Sequence, residues 1–330
     1  MTRLSEDDLI ARYFAPLAGP GGLGLHDDAA VMTPPPGAEL VLTKDALVAG
    51  VHFFADDPPD MIARKSLRVN LSDLAAKGAE PAGFLLALAL PPDWTDEWLA
   101  AFARGLGDDV AAFRFPLLGG DTVKTPGPLT ISVTALGFCP EGDMVPRTGV
   151  EPGDRIYVSG TIGDAALGLA LRRAKPEDAG WIAALPDEAK TFLRARYLEP
   201  LPRLPLRKAL RAYASGGMDV SDGFVGDLTK MLRVSDCAAA IDMAKLPLSP
   251  AARAALDVAP RLLETIATGG DDYELIVSVP ESQCAAFEAA ARATGVAVTQ
   301  LGRACEGQGA IFRDARGQPM DFGKGSFSHF

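Results

Sequence analysis

Apolar positions along this chain follow two rhythms that alternate from segment to segment. Between Leu129 and Phe138 the hydroxyls of Thr130, Ser132 and Thr134 alternate with apolar neighbours, the two-residue period of a half-buried strand. From Pro58 to Lys77 the apolar set is Ile62, Leu67, Leu71 and Leu74, spaced for one face of a helix, while Ser66, Asn70, Asp73 and Lys77 share another. Asp73 can therefore point from a rigid element into a polar cleft. A short helix is predicted over 5–17, where Ser5 can cap and Leu9, Ile10, Tyr13 and Phe14 share a face. Strands are predicted at 39–44, ending at Asp45, at 83–90 and at Leu117-Leu118, with a Thr95-capped helix over 95–113 between the last two.

The second half continues in the same mixed manner. A strand at 155–159 runs through Gly160-Thr161-Ile162-Gly163-Asp164 into a helix at 165–174, and helices follow around 187–197 and 203–214. Strands at 218–221, 238–242 and 273–279, helices at 224–233 and 281–294, and closing strands near 296–302 and 310–313 complete the pattern. Strands and helices mix without a strict βαβ repeat, so the expected class is α+β in two domains. The Pro/Gly-rich stretch 140–154 is the expected boundary, giving domains at 1–139 and 150–330.

Composition narrows the partners. The chain has 330 residues, enough for two cores, and a net charge of −11, which disfavours nucleic-acid and anionic-membrane surfaces. Cys139, Cys237, Cys284 and Cys305 form no CxxC pair, and His26, His52 and His329 are far apart, so neither a disulfide framework nor a zinc site is expected. No run is apolar enough for a membrane span or a signal peptide, and the reading is a cytoplasmic protein.

The chemistry lies in aspartates set in short Gly- or Ser-rich segments beside apolar runs. They are His26-Asp27-Asp28, Thr43-Lys44-Asp45, Gly119-Gly120-Asp121-Thr122, Asp219-Val220-Ser221-Asp222-Gly223 and Gly269-Gly270-Asp271-Asp272-Tyr273-Glu274, with Asp73 as a further acid. Any one of them reads as turn or cap chemistry. Five together call for cations between them, and hard oxygen donors suit Mg²⁺ carrying substrate phosphates. Gly19–Gly24 matches GxGxxG by letter but follows a helix, so a flexible loop is the reading there. No Walker A, GxSxG or kinase HRD/DFG set is present. The turn Ser159–Asp164 is open to two readings, phosphate-binding amides or an ordinary helix cap. Metal ions and backbone amides suffice for phosphoryl transfer, and a phosphate acceptor, already ionised at neutral pH, needs no general base.

At these motifs the sequence resembles the thiamine-monophosphate kinase family, a branch of the aminoimidazole-ribonucleotide-synthetase-like, or PurM-like, superfamily. The resemblance also rests on Leu9–Phe14, Asp45–Phe53, Val69–Ala76, Arg147-Thr148-Gly149, Pro152-Gly153-Asp154 and His329-Phe330. It implies ATP-dependent phosphorylation of thiamine monophosphate to thiamine diphosphate by direct transfer, with several Mg²⁺ ions, and it leaves K⁺ open. The metal ligands it implies are Asp28, Thr43, Asp45, Asp73, Asp121, Asp219 and Asp222. Gly120, Asp121, Arg147 and Ser221 would contact ATP; His52, Asp271 and an aromatic, Phe322 in preference to Phe327, would contact the thiamine. No catalytic base is implied. The implied assembly is a homodimer whose N-terminal sheets join into a β-barrel, with a C-terminal domain completing the site. His26, Lys44, Lys77 and Asp271 depart from the family pattern, standing for Gly, Thr or Ser, an apolar residue and Glu. Two other readings are a sister synthetase activity of the superfamily and a non-catalytic nucleotide-binding regulator.

Overall fold

The computed structural model describes residues 5–323 and Gly325, and the chain divides into two units. The first comprises residues up to Leu74 together with Ala79–Gly142. Its elements are helices α1 (Glu6–Leu9), α2 (Pro59–Ala76, whose last two residues belong to the second unit) and α3 (Asp96–Phe113). Its strands are β1 (Ala38–Val48), β2 (Glu80–Leu90), β3 (Leu117–Lys124) and β4 (Thr130–Pro140). The strands form one sheet in the order β1-β4-β2-β3, antiparallel except for the β2–β3 pair.

The alternation read from 129–138 holds: Ile131, Val133 and Ala135 are fully buried, and Thr130, Ser132 and Thr134 are half-exposed between them. On α2, Ile62, Leu67, Leu71 and Leu74 are buried as their spacing requires. The α3 N-terminus is held by Thr95, whose Oγ1 accepts the Trp98 N–H at 3.1 Å. Gly105 in α3 permits close crossing, because a Cβ there would lie 2.3 Å from the Asp60 carbonyl oxygen.

Three readings are corrected in this unit. Residues 5–17 are helical but change pitch: α1 is capped by Ser5, then passes into a π turn at Ile10–Phe14 and a 3₁₀ turn at Ala15–Leu17 around Pro16. Residues 20–25 form 3₁₀ turns, not a featureless loop, and the Val31 N–H donates to the Gly21 carbonyl at 2.8 Å. β1 and β3 run past their acids, so Asp45 and Asp121 stand within strands and not at strand ends. Pairing of Ala46, Leu47 and Val48 with Ser132, Ile131 and Thr130 carries β1 onward.

The second unit comprises Ala75–Gly78 and Asp143–Phe330. Its strands are β5 (Arg155–Ser159), β6 (Gly216–Asp219), β7 (Ala238–Asp242), β8 (Leu275–Val279), β9 (Val298–Cys305), β10 (Gly309–Arg313) and β11 (Pro319–Met320). They form a sheet ordered β11-β10-β7-β9-β5-β8-β6, in which only β10–β7 is parallel. Its helices are α4 (Asp164–Arg173), α5 (Ala179–Ala184), α6 (Asp187–Leu198), α7 (Arg207–Tyr213), α8 (Phe224–Val234), α9 (Pro250–Val258), α10 (Leu262–Thr268) and α11 (Cys284–Ala293). The core gathers Leu167, Phe224, Leu228, Ile266, Ile276 and Leu301, all nearly or fully buried.

Helices α5, α9 and α10 were not anticipated from the sequence. α5 and α9 lie in Ala-rich stretches where periodicity is faint, and α10, at 7 residues, is too short to show one. Ser249-Pro250 was the available signal for α9: Ser249 Oγ accepts the Ala252 N–H at 3.0 Å, with Pro at the first helical position.

Candidate functional site

In the first unit a polar seam runs between β1 and α2. Thr43 and Asp45 lie two apart on β1, and Thr43 Oγ1 donates to Asp73 Oδ2 at 2.5 Å. One turn before Asp73, fully buried Asn70 accepts the Asp45 N–H at 3.1 Å and donates to the Ser66 carbonyl at 3.0 Å. Burial of an amide is tolerated because both its ends are bonded, and the two bonds fix the helix to the strand. Of the face predicted from Ser66, Asn70, Asp73 and Lys77, Asn70 and Asp73 form this seam with the Ser66 carbonyl, while Lys77 lies past the end of α2. Lys44 is turned away from it, its Nζ lying 3.5 Å from Thr134 Oγ1 across the strand pair.

Asp121 stands elsewhere. By register it opposes Ala87, which opposes Ser132 and hence Ala46, whereas Asp45 aligns with Val133 and Leu86 on the other face of the sheet. Gly120 is required for β3 to approach β2, since a Cβ there would fall 1.9 Å from the Leu86 carbonyl oxygen. Asp28 is exposed in the segment after the 3₁₀ turns. His52, half-buried in the turn after β1, accepts the Val48 N–H on Nδ1 at 2.9 Å. That bond places the proton of the neutral imidazole on Nε2.

In the second unit two acidic turns are stitched backbone to backbone. Val220 N–H donates to the Glu274 carbonyl (2.7 Å), Tyr273 N–H to that of Val220 (2.8 Å) and Asp271 N–H to that of Ser221 (2.9 Å). Gly223 and Gly270 allow this approach, because a Cβ on either would lie 2.3 Å from a carbonyl oxygen, of Thr268 and Ser221 respectively. Asp271 and Tyr273 sit at φ 74° and 51°, the left-handed region that suits Asp far better than Tyr. Such strain persists only where surrounding contacts enforce it.

Each acid in these turns has a distinct environment. Asp219 is buried at the end of β6. Asp222 Oδ2 accepts from Lys230 Nζ at 2.6 Å, and Lys230 also donates to Asp227 Oδ1 at 3.0 Å. Asp227 Oδ2 receives the N–H groups of Asp222 (2.8 Å) and Gly223 (3.1 Å); burial pushes its carboxyl up, with the Lys230 charge acting against that. Asp272 caps α4, accepting the Gly163 N–H at 2.6 Å and the Ala165 N–H at 3.1 Å, while complete burial pushes its carboxyl up to about 8. Glu274 is fully buried beneath Ser159 (2.7 Å), Arg196 (2.9 Å) and Arg203 (2.6 Å).

These contacts locate several residues of the sequence readings. The Ser159–Asp164 turn is structural at Gly163 and Ala165, whose amides are committed to Asp272. Phe322 is a core residue, 6% exposed and edge-to-face on Phe312 at 5.5 Å, so its packing accounts for it without a stacked ligand. Phe327 lies outside the described residues. Arg147 is exposed in the loop before β5, its carbonyl accepting from Ser235 Oγ at 3.3 Å, and Ser221 is half-buried. Lys77 Nζ donates to the Gly217 carbonyl at 2.7 Å. Among the described residues, no three His, Cys, Asp or Glu side chains are gathered closely enough to hold a metal ion. Lys230 and Asp227 were missed by the sequence reading, although the two fall three residues apart on α8.

Two family models divide the chain between them. The N-terminal domain of AIR synthase related protein matches residues 26–139 and its C-terminal domain matches residues 151–314, so the class is that of two-domain AIR synthase related proteins with a mixed α+β fold. The thiamine-monophosphate kinase of Caulobacter vibrioides is 48% identical over 310 residues, covering 92% of this chain and 85% of its own. Among solved structures, thiamine-monophosphate kinase from Stenotrophomonas maltophilia is 38% identical, with a TM-score of 0.80 over 90% of this chain and 91% of that one. AaThiL complexed with AMPPCP and TMP is 29% identical, with a TM-score of 0.78 over 100% of this chain and 99% of its own. The chain belongs to the thiamine-monophosphate kinase family.

Proposed function

We propose that this chain transfers the γ-phosphoryl group of ATP to thiamine monophosphate, giving thiamine diphosphate by direct in-line displacement. The observation that carries this reading is the likeness, along the whole chain, to AaThiL complexed with AMPPCP and TMP. The donor chemistry fits Mg²⁺, because the β1–α2 seam offers a hydroxyl and two carboxylates, all hard oxygens, with Thr43 and Asp73 already within 2.5 Å. Thr43, Asp45 and Asp73, with Asp28 and Asp121, are assigned as ligands from the first unit, and Asp219 and Asp222 from the second. Bound Mg²⁺ would offset the repulsion between ATP and an anionic acceptor.

Gly120, Asp121, Arg147 and Ser221 are assigned to ATP, and His52 and Asp271 to the thiamine portion. His52 is fixed in place by the Val48 N–H donating to its Nδ1. Asp271 is carried on a turn whose left-handed backbone is locked to Ser221. The acceptor phosphate, with a second pKa of about 6, is ionised at neutral pH and supplies its own nucleophile. Support for a homodimer through paired N-terminal sheets comes from the exposed β1–β2–β3 residues Leu40, Leu42, Leu85 and Val123, because one chain forms an open four-stranded sheet and not a closed barrel. A cytoplasmic location agrees with the finding that, among the described residues, no helix is long and apolar enough to cross a membrane.

The test is ADP release and thiamine diphosphate formation from ATP, Mg²⁺ and thiamine monophosphate. Equimolar products are expected. Nucleotide binding without turnover on this acceptor, or turnover only with a formyl or carbamoyl acceptor, would overturn the reading.

A further inference from the structure

Lys230 is a cation placed among the acids of the second unit, and the proposed reaction does not yet use it. It lies two turns into α8, the helix that starts where the Asp219–Gly223 turn ends. Its ammonium touches two carboxylates of different character. Asp227 is almost wholly buried and fully committed, with one oxygen on the N–H groups of Asp222 and Gly223 and the other on Lys230. Asp222 keeps 38% of its side chain exposed and Lys230 keeps 33%, so this pair opens to solvent where an incoming ion can reach the carboxylate.

From this geometry we infer that Lys230 is the resident counter-ion of Asp222 and that a divalent cation must displace it in order to bind there. The inference rests on the reading of Asp222 as a metal ligand. A carboxylate oxygen 2.6 Å from an ammonium cannot also take Mg²⁺ at about 2.1 Å without bringing two like charges together. The four-carbon stem of lysine allows the ammonium to swing aside while Asp227, 3.0 Å away, continues to hold it. The metal-free turn is thereby kept from self-repulsion between Asp222 and Asp227, and metal affinity is lowered by the strength of the Lys230–Asp222 pair. A partly exposed pair of this kind corresponds to roughly a fivefold effect on a binding constant.

The experiment is a Mn²⁺ titration of the full-length chain followed by electron paramagnetic resonance, without nucleotide and again with AMPPCP, on wild type, Lys230→Gln, Lys230→Arg and Asp222→Asn. Far-UV circular dichroism and urea unfolding report whether each variant is folded. Lys230→Gln is expected to bind Mn²⁺ roughly fivefold tighter than wild type, Lys230→Arg about as wild type, and Asp222→Asn more weakly. If Asp222→Asn binds Mn²⁺ as wild type does, the ligand assignment of Asp222 falls and this inference with it. If Asp222→Asn weakens binding but Lys230→Gln leaves it equal or weaker, the displacement inference alone is overturned. Should Lys230→Gln fail to fold, Lys230→Met measured in the same way decides: tighter Mn²⁺ binding than wild type supports displacement, and equal or weaker binding refutes it.

Discussion

Replacing Glu274 by Gln should damage the second unit more than the loss of one contact suggests. The side chain is fully buried and accepts from Ser159 and from both Arg196 and Arg203. Glutamine keeps the shape but removes the negative charge bonded to both guanidinium groups, and it turns an NH₂ toward donors. Nη1 of Arg196 already has no hydrogen-bond partner among the described residues. Breaking a buried ion pair by neutralising one side costs about 3–5 kcal/mol, which for a unit of this size lowers the melting temperature by roughly 10 °C. The assay is urea unfolding followed by far-UV circular dichroism, where the midpoint should fall at unchanged m-value. The cost arises from stranded positive charge, so Arg203→Met should destabilise the wild type yet restore stability to Glu274→Gln. Equal destabilisation by Arg203→Met in both backgrounds, or a loss below about 1 kcal/mol for Glu274→Gln, refutes the reasoning.

Three further outcomes are expected. Asp45→Asn should abolish turnover while the chain still folds, since the amide keeps the shape of the carboxylate and the seam bond uses the Asp45 backbone N–H; near-normal kcat counts against its role as a ligand. His52→Ala should raise KM for thiamine monophosphate more than KM for ATP, and equal changes in steady-state assays would remove His52 from the acceptor side. Asp272, raised by burial to about 8, binds its proton more tightly folded than unfolded, so its contribution to stability is greatest at low pH and falls as pH rises from the ordinary carboxylate range toward 8. The stability advantage of wild type over Asp272→Asn, measured by urea unfolding at pH 5 to 8, should shrink with rising pH, and a constant or growing advantage contradicts the burial argument.

The sequence displayed those parts of the fold in which side chains alternate or repeat sharply. β4 and α2 were readable because Ile131, Val133, Leu67 and Leu71 have no other place to go than a core. The seam face was readable for the same reason, since Ser66, Asn70 and Asp73 recur at the helical period. What stayed hidden depended on contacts between residues far apart in the chain. Nothing local says that Asp272 spends its oxygens on Gly163 and Ala165, more than a hundred residues earlier. The resemblance gives Gly120 to ATP, and its backbone spacing against Leu86 emerges only once two strands are paired. β1 outran its predicted end because β4 offered partners beyond Asp45, a tertiary effect that local residue preference does not contain.

The three backbone hydrogen bonds that join Val220 and Ser221 to Tyr273, Asp271 and Glu274 make one rigid piece out of two stretches some fifty positions apart in the chain. A deletion or insertion in either stretch would shift the alignment of both, carrying Asp219, Asp222 and Asp271 off target in a single step. Anyone wishing to alter what the second unit grips would have to transplant the pair together, and evolutionary drift in one is bound to be checked by the other.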